Sequence, residues 1–363
     1  MSCCTRPASR SLTPAAAAHS IAPRCTTVRT LRTRTKDAPT TTSIPVDGVV
    51  PTGAKRMRTI ESMPFQTYQL ALDVIRKDRA EKLSMITAER EKIARVMKFK
   101  GLTSQSIEVR SMLHYIEDLK IKADINNPRV KYNFDTGLIG MNKPVYRYLL
   151  ERKWREMRRP VLMQRLTQMH VIPDVLPGIN PSVDVQVRFL GRDTRPGVFV
   201  KSLDSERPPT FKIVPFKRGE QLCTVVVVDP DVPDVAADGF RYHLHWILSN
   251  IVISPTQTQA VGTGSAPSDE IVSYLPPHVQ KGSPYHRYAM FVFRQPNNAR
   301  IDPATLVGKV ERERFNLRSF QTKMKLQTIG AFMWRGEWDE GTKQVMQRNE
   351  IEGWDVMYTR VKV

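Results

Sequence analysis

The spacing of apolar and polar positions changes period once along this chain. From about residue 64 to 170 it is helical: Tyr68, Leu72 and Ile75 recur at i, i+4 and i+7, and Leu83, Ile86, Ile93 and Met97 extend a stripe backed by charge. Met112, Leu113, Ile116 and Leu119 form a second, shorter stripe. Asn142 and Pro144 predict a helix start, and Pro160 predicts an end or kink before Leu162, Leu166 and Met169 resume the pattern. After the proline-rich stretch from Pro173 to Pro181 the period becomes 2. Val183, Val185, Val187 and Phe189 alternate with Asp184, Gln186 and Arg188, the pattern of a half-buried strand. Leu222 to Val228 is a continuous apolar run suited to a strand buried on both faces, and further strands are expected at 209–216, 242–253 and 288–294. A helix expected over 315–326 precedes a stretch holding Trp334, Trp338 and Trp354.

A length of 363 residues allows two domains with appended segments, and no apolar run reaches the 18 residues of a membrane-spanning helix. Residues 1–36 hold seven basic side chains and no acidic one among Ser, Thr and Ala, the composition of a mitochondrial transit peptide. Residues 37–62, with three prolines and two glycines among threonines, read as a linker or extended arm. The expected division then runs through a basic α-helical extension at 63–172, a mainly β domain at 173–330 and a Trp-rich C-terminal extension at 331–363. Cys223 is the one cysteine outside the leader, so it has neither a disulfide partner nor zinc-ligand spacing, and its expected role is packing.

Charge narrows the partners. The chain carries 56 Lys plus Arg against 36 Asp plus Glu, a formal +20, which favours a polyanion. Between Met141 and His170 eight basic residues face two glutamates. Arg147, Arg152, Lys153, Arg155, Arg158, Arg159 and Arg165 are the candidate contacts to RNA phosphates, because guanidinium forks fit phosphate oxygens and binding releases counterions condensed on RNA. The plainer alternative is a solvated helix surface.

Two motifs mark the β domain: Asp229-Pro230-Asp231-Val232-Pro233 after the valine run, and His286-Arg287-Tyr288 before a later strand, with His245 between them. Taken as chemistry, these residues allow an anion pocket, a metal site of two histidines and a carboxylate, or a buried hydrogen-bond network. No Ser-His-Asp order, glycine-rich phosphate loop or HExxH motif argues for an enzyme.

The valine strand with DPDVP, the histidine-bearing strand ending in Asn250, and the Pro276-Pro277 loop leading into HRY resemble the phosphatidylethanolamine-binding protein family. The resemblance implies an α+β chain: antiparallel, Greek-key β sheets preceded by the helical extension, with a small anion pocket lined by Asp229, Asp231, His245, His286 and Tyr288. Where the family has a Gly-Ser-Gly turn before the paired prolines, this chain has Ser273, Tyr274 and Leu275, then three extra residues before HRY. Side chains there obstruct the close approach of backbone N–H groups to an anion, so the pocket is expected to be vestigial, with no obligatory ligand, cofactor or metal. Leader, basic extension and the C-terminal run from Arg318 to Trp338 together resemble mitochondrial large-subunit ribosomal proteins carrying such a domain. That resemblance implies a structural, non-catalytic role in the central protuberance region, in the mitochondrial matrix, with large-subunit rRNA and neighbouring ribosomal proteins as partners. The alternative it leaves is a mitochondrial phospholipid- or anion-binding regulator.

Overall fold

The computed structural model describes residues 62–256, 260–261 and 270–359. The leader expected over 1–36 and all but the last residue of the arm expected over 37–62 lie outside the described residues. Helix α1, Gln66–Lys100, ends at Gly101, whose φ of 59° is the left-handed value that terminates helices cheaply only at glycine. Helix α2, Ile107–Asp124, starts where the Ser106 hydroxyl accepts the Val109 N–H at 3.4 Å. Ile86 and Ile93 of α1 pack on Val109, Ile116 and Leu119 of α2. This small core begins at Ile86, so Tyr68 and Leu83 of the expected stripe are 50% and 40% exposed.

Helices α3, Pro128–Asp135, and α4, Pro144–Lys153, share a core of Val130, Val145 and Tyr146. Pro144 opens α4 as expected, but Lys143 occupies the cap position, while the Asn142 carbonyl accepts from the Arg147 guanidinium at 3.1 Å. Pro160 does not end the helix. A π turn, Trp154–Arg158, widens it by one residue, with the Arg159 N–H donating to the Trp154 carbonyl, and α5, Arg159–Gln168, continues beyond. The turn sets Trp154 against Phe216 of the β domain, ring centroids 5.2 Å apart, and so fastens the helical extension to it. A single helical turn, α6, Val171–Asp174, leads into the sheets.

Strands β1 (Val183–Phe189), β2 (Arg192–Thr194) and β3 (Thr210–Pro215) form a small sheet that β6 (Ala260–Val261) completes in the order β2-β1-β3-β6. The larger sheet has β4 (Gln221–Asp234), β5 (Gly239–Ile253), β7 (Glu270–Val272), β8 (His286–Arg294) and β9 (Gln327–Gly336) in the order β7-β5-β4-β8-β9. Among the described residues the pairings between these strands are antiparallel. Short helices α7 (Ser202–Ser205), α8 (Leu317–Lys323) and α9 (Thr342–Arg348) complete an α+β architecture.

The valine run is explained by two cores on opposite faces of β4. Val225 and Val227 point between the sheets, and Val226 and Val228 point at a second core with Leu162, Leu166 and Phe320. Cys223 is fully buried in the inter-sheet core, and burial pushes its thiol up to about 12, so it acts as packing. Strand β9 runs across the division expected at 330 and 331, and places Trp334, fully buried, in the inter-sheet core. Gly330 on β9 lets the two sheets close: a Cβ there would lie 2.8 Å from Val183 Cγ2 and 2.9 Å from Val185 Cγ2. Gly330→Ala is therefore expected to lower stability by about 1–3 kcal/mol through overpacking, measured by urea unfolding of the full chain.

Candidate functional site: a buried polar network and a basic helical face

The DPDVP motif does not follow β4; it is part of it, since β4 continues to Asp234. Likewise HRY begins β8 and does not precede it. The β4–β5 ladder slips by one residue where Val227 pairs with Trp246 and Val228 with Leu244, leaving His245 as the extra residue of a bulge. In a regular strand Leu244 and Trp246 would share a face. Here they enter opposite cores, and His245 comes to lie beside Tyr288, ring centroids 5.2 Å apart.

Asp229, His245, His286 and Tyr288 are all 0% exposed. Asp229 Oδ2 is 2.6 Å from His286 Nδ1, its Oδ1 accepts the Asp231 N–H at 2.8 Å, and His286 Nε2 lies 3.0 Å from Ser283 Oγ. The Tyr288 hydroxyl donates to the His278 carbonyl at 2.9 Å, and its ring stacks on Trp334. Asp231 takes another direction. Its carboxylate accepts from the Arg287 backbone N–H at 2.8 Å and from the guanidinium at 2.8 and 2.6 Å, while the same guanidinium donates to the Met169 carbonyl and Asp174. Asp231 thus ties the sheet to the end of the helical extension through Arg287. The five expected residues are neighbours, and four of them are fully buried, each holding at least one hydrogen bond.

The loop before HRY packs against these residues. Pro276 to Gln280 are buried, and Val279 joins the inter-sheet core. His245 Nδ1–H donates to the Leu275 carbonyl at 3.0 Å, and the Leu275 N–H donates to the His245 carbonyl at 2.9 Å. His278 Nδ1–H donates to the Pro276 carbonyl at 2.9 Å. Tyr274 packs on Trp246 and donates its hydroxyl to the Ser205 carbonyl at 2.6 Å. Leu275 and His278 thus lie directly against His245 and Tyr288, two of the expected pocket residues.

Two residues of this centre were not among the sequence candidates. His243 and His278 join His245 in a cluster with ring centroids 5.2 to 5.8 Å apart. Burial holds all three imidazoles below the ordinary histidine range, His243 at about 3, with the neighbouring rings and Arg312 adding to the effect at His243 and His245. The His-x-His spacing in β5 was a usable signal for His243; nothing local marked His278. Among the described residues no group of three His, Cys, Asp or Glu side chains is arranged to hold a metal ion.

The basic face divides as well. Arg147 is 6% exposed and donates to the Met141 and Asn142 carbonyls, so it is turned inward and holds the start of α4. Arg158 is bound at 2.7 Å to Asp184, itself 7% exposed, and Arg159 donates to Asn180. Arg152 and Arg155 pair with Glu156 and Glu151 one turn away on an exposed surface. Exposed i,i+4 pairs of this kind contribute only about 0.3–0.5 kcal/mol. Lys153 lies over the Phe134 ring and Arg165 donates to Gln168.

Two antiparallel sheets with DPDVP and HRY on adjacent central strands define a phosphatidylethanolamine-binding protein fold, and a family model described as Phosphatidylethanolamine-binding protein matches residues 193–338. The chain is similar to Large ribosomal subunit protein mL38 of Schizosaccharomyces pombe, 31% identical over 238 residues, or 64% of this chain and 75% of that protein. It therefore belongs to the family of mitochondrial large-subunit ribosomal proteins that carry a phosphatidylethanolamine-binding-like domain. Similarity to Protein MOTHER of FT and TFL1 homolog 2 of Oryza sativa subsp. japonica is 30% over 150 residues, 41% of this chain and 78% of that protein. The solved Phosphatidylethanolamine-binding protein from Plasmodium vivax is 16% identical with a TM-score of 0.39, covering 48% of this chain and 97% of that one.

Proposed function

We propose that this protein is a non-catalytic structural component of the mitochondrial large ribosomal subunit, acting in the matrix, seated in the central protuberance region and binding rRNA and neighbouring ribosomal proteins. The observation that carries the reading is the reach of the similarity. It extends over 238 residues, beyond the 193–338 stretch that the β-domain family accounts for, and so takes in sequence outside the domain shared with ligand-binding relatives. The formal charge of +20 and the acid-free, arginine-bearing first 36 residues support RNA as partner and mitochondria as destination. The complete burial of Asp229, His245, His286 and Tyr288 speaks against the alternative of a headgroup-binding regulator. In this assignment the β domain is a rigid docking body, and Arg152, Lys153, Arg155 and Arg165 are the members of the basic face placed to meet phosphate. Among the described residues no helix is long and apolar enough to cross a membrane.

Sedimentation of the tagged protein from detergent-lysed mitochondria tests this. Co-migration with the large subunit, abolished by ribonuclease, is the expected result; a light peak indifferent to ribonuclease overturns it.

A further inference from the structure

A second basic site lies in the helical extension, away from the arginine-rich stretch. The middle of α1, the start of α3 and the start of α4 enclose a cleft of about 370 Å³. Three cations from three elements line it: Arg79, Arg129 and Lys143. The one carboxylate in the lining, Asp124, is engaged by Arg79 Nε at 2.8 Å. Arg129 and Lys143 are exposed and have no acidic partner among the described residues, unlike Arg152 and Arg155. The remaining polar lining is the amides of Asn127 and Asn133 and the Tyr146 hydroxyl, which accepts from Asn133 Nδ2 at 3.2 Å. Asn127 Oδ1 accepts the Arg129 N–H, and the α3 backbone N–H groups are satisfied by this cap and by the Asn127 carbonyl. Donors and positive charge therefore converge on the cleft, and the only acid there is neutralised.

Resting on the ribosomal reading above, we infer that this cleft binds a phosphodiester group of folded RNA. Like charges gathered from three helices repel one another until an anion enters, and two arginines with a lysine offer forked and point donors to phosphate oxygens. Tyr146 at the floor is 3% exposed and Val130 is 8% exposed, so the cleft presents no free aromatic face for a base and no apolar wall for a peptide side chain. It reads the backbone and positions the helical extension; it does not select sequence.

The test is fluorescence anisotropy of a labelled RNA hairpin with the full chain across a KCl series, comparing wild type, R129Q/K143Q, and a control, R192Q/R195Q, that removes two exposed cations of the β domain. Loss of two phosphate contacts is expected to weaken R129Q/K143Q about tenfold and to make its log–log salt dependence shallower by about two, with the control nearly unchanged. An unaltered R129Q/K143Q, or an equal loss in the control, overturns the site while leaving the ribosomal reading intact. Absence of wild-type RNA binding overturns both. Retained RNA binding with lost binding to phosphatidylglycerol vesicles overturns the inference in favour of a membrane surface. Unchanged circular dichroism melts for both variants confirm that the comparison concerns binding.

Discussion

Asp229→Ala is expected to destabilise the full chain by about 3–5 kcal/mol, which lowers the thermal midpoint by roughly 10 °C. Asp229 is fully buried, and its two oxygens satisfy His286 Nδ1 at 2.6 Å and the Asp231 N–H at 2.8 Å. Truncation strands both groups where water does not reach and leaves a void between β4 and β8. Asp229→Asn keeps the shape and one acceptor, so its cost is expected to be about 1–2 kcal/mol. The comparison separates a folding element from a ligand pocket. A binding site built for an anion would tolerate loss of an acidic side chain with little effect on stability, and a cost below about 1 kcal/mol for Asp229→Ala would sink the proposed role of the network. Urea unfolding monitored by tryptophan fluorescence measures it, with Trp334 reporting from the same core.

Acid is expected to destabilise this protein steeply, beginning near pH 6.5. In the unfolded chain His243, His245 and His278 take up protons at the ordinary value of about 6.5. In the folded chain burial opposes the charged form of all three, and His243 accepts a proton only at about 3. Between those values the unfolded state binds more protons, so stability is full above about pH 6.5 and falls as pH drops through the window. Each histidine held neutral contributes up to about 1.4 kcal/mol per pH unit, and three acting together dominate the acid limb. Asp184 works in the opposite direction, since burial raises its carboxyl above the usual range, but it is one group against three. His245→Gln is expected to flatten the slope of unfolding free energy between about pH 7 and pH 5 by roughly a third. A wild-type slope near zero over that interval would show that the three imidazoles are not held neutral by the fold.

The legibility of this chain followed the range of the interactions involved. Ile86, Ile93, Ile116 and Leu119 were readable as core because a helical stripe is a local pattern and α2 lies directly after α1. Val183, Val185 and Val187 were readable for the same reason, as alternation needs only neighbours in sequence. Pro160 was read correctly as a perturbation but not as a π turn, because whether a helix breaks or widens depends on Trp154 finding Phe216, more than sixty residues away. Strand β9 was hidden behind its tryptophans. Trp334 was expected only in a Trp-rich extension, and its place in the core follows from β8 beside it, with Tyr288 paired to Trp334 across the ladder.

The candidate site divides along the same line. DPDVP and HRY marked Asp229, His286 and Tyr288 as neighbours from sequence, and the structure places them together in the interior. The sequence could not show that Asp231 turns to Arg287, that His243 and His278 join His245, or that Arg147 faces inward while Arg152 faces out. By itself the sequence determined the order of helical and β segments, the basic balance and the family, because these rest on periodicity, composition and short motifs. The tertiary structure alone decided which polar side chains are exposed and which are buried, because a one-residue bulge at His245 and a loop returning as Pro276 to Gln280 set those directions through contacts distant in sequence.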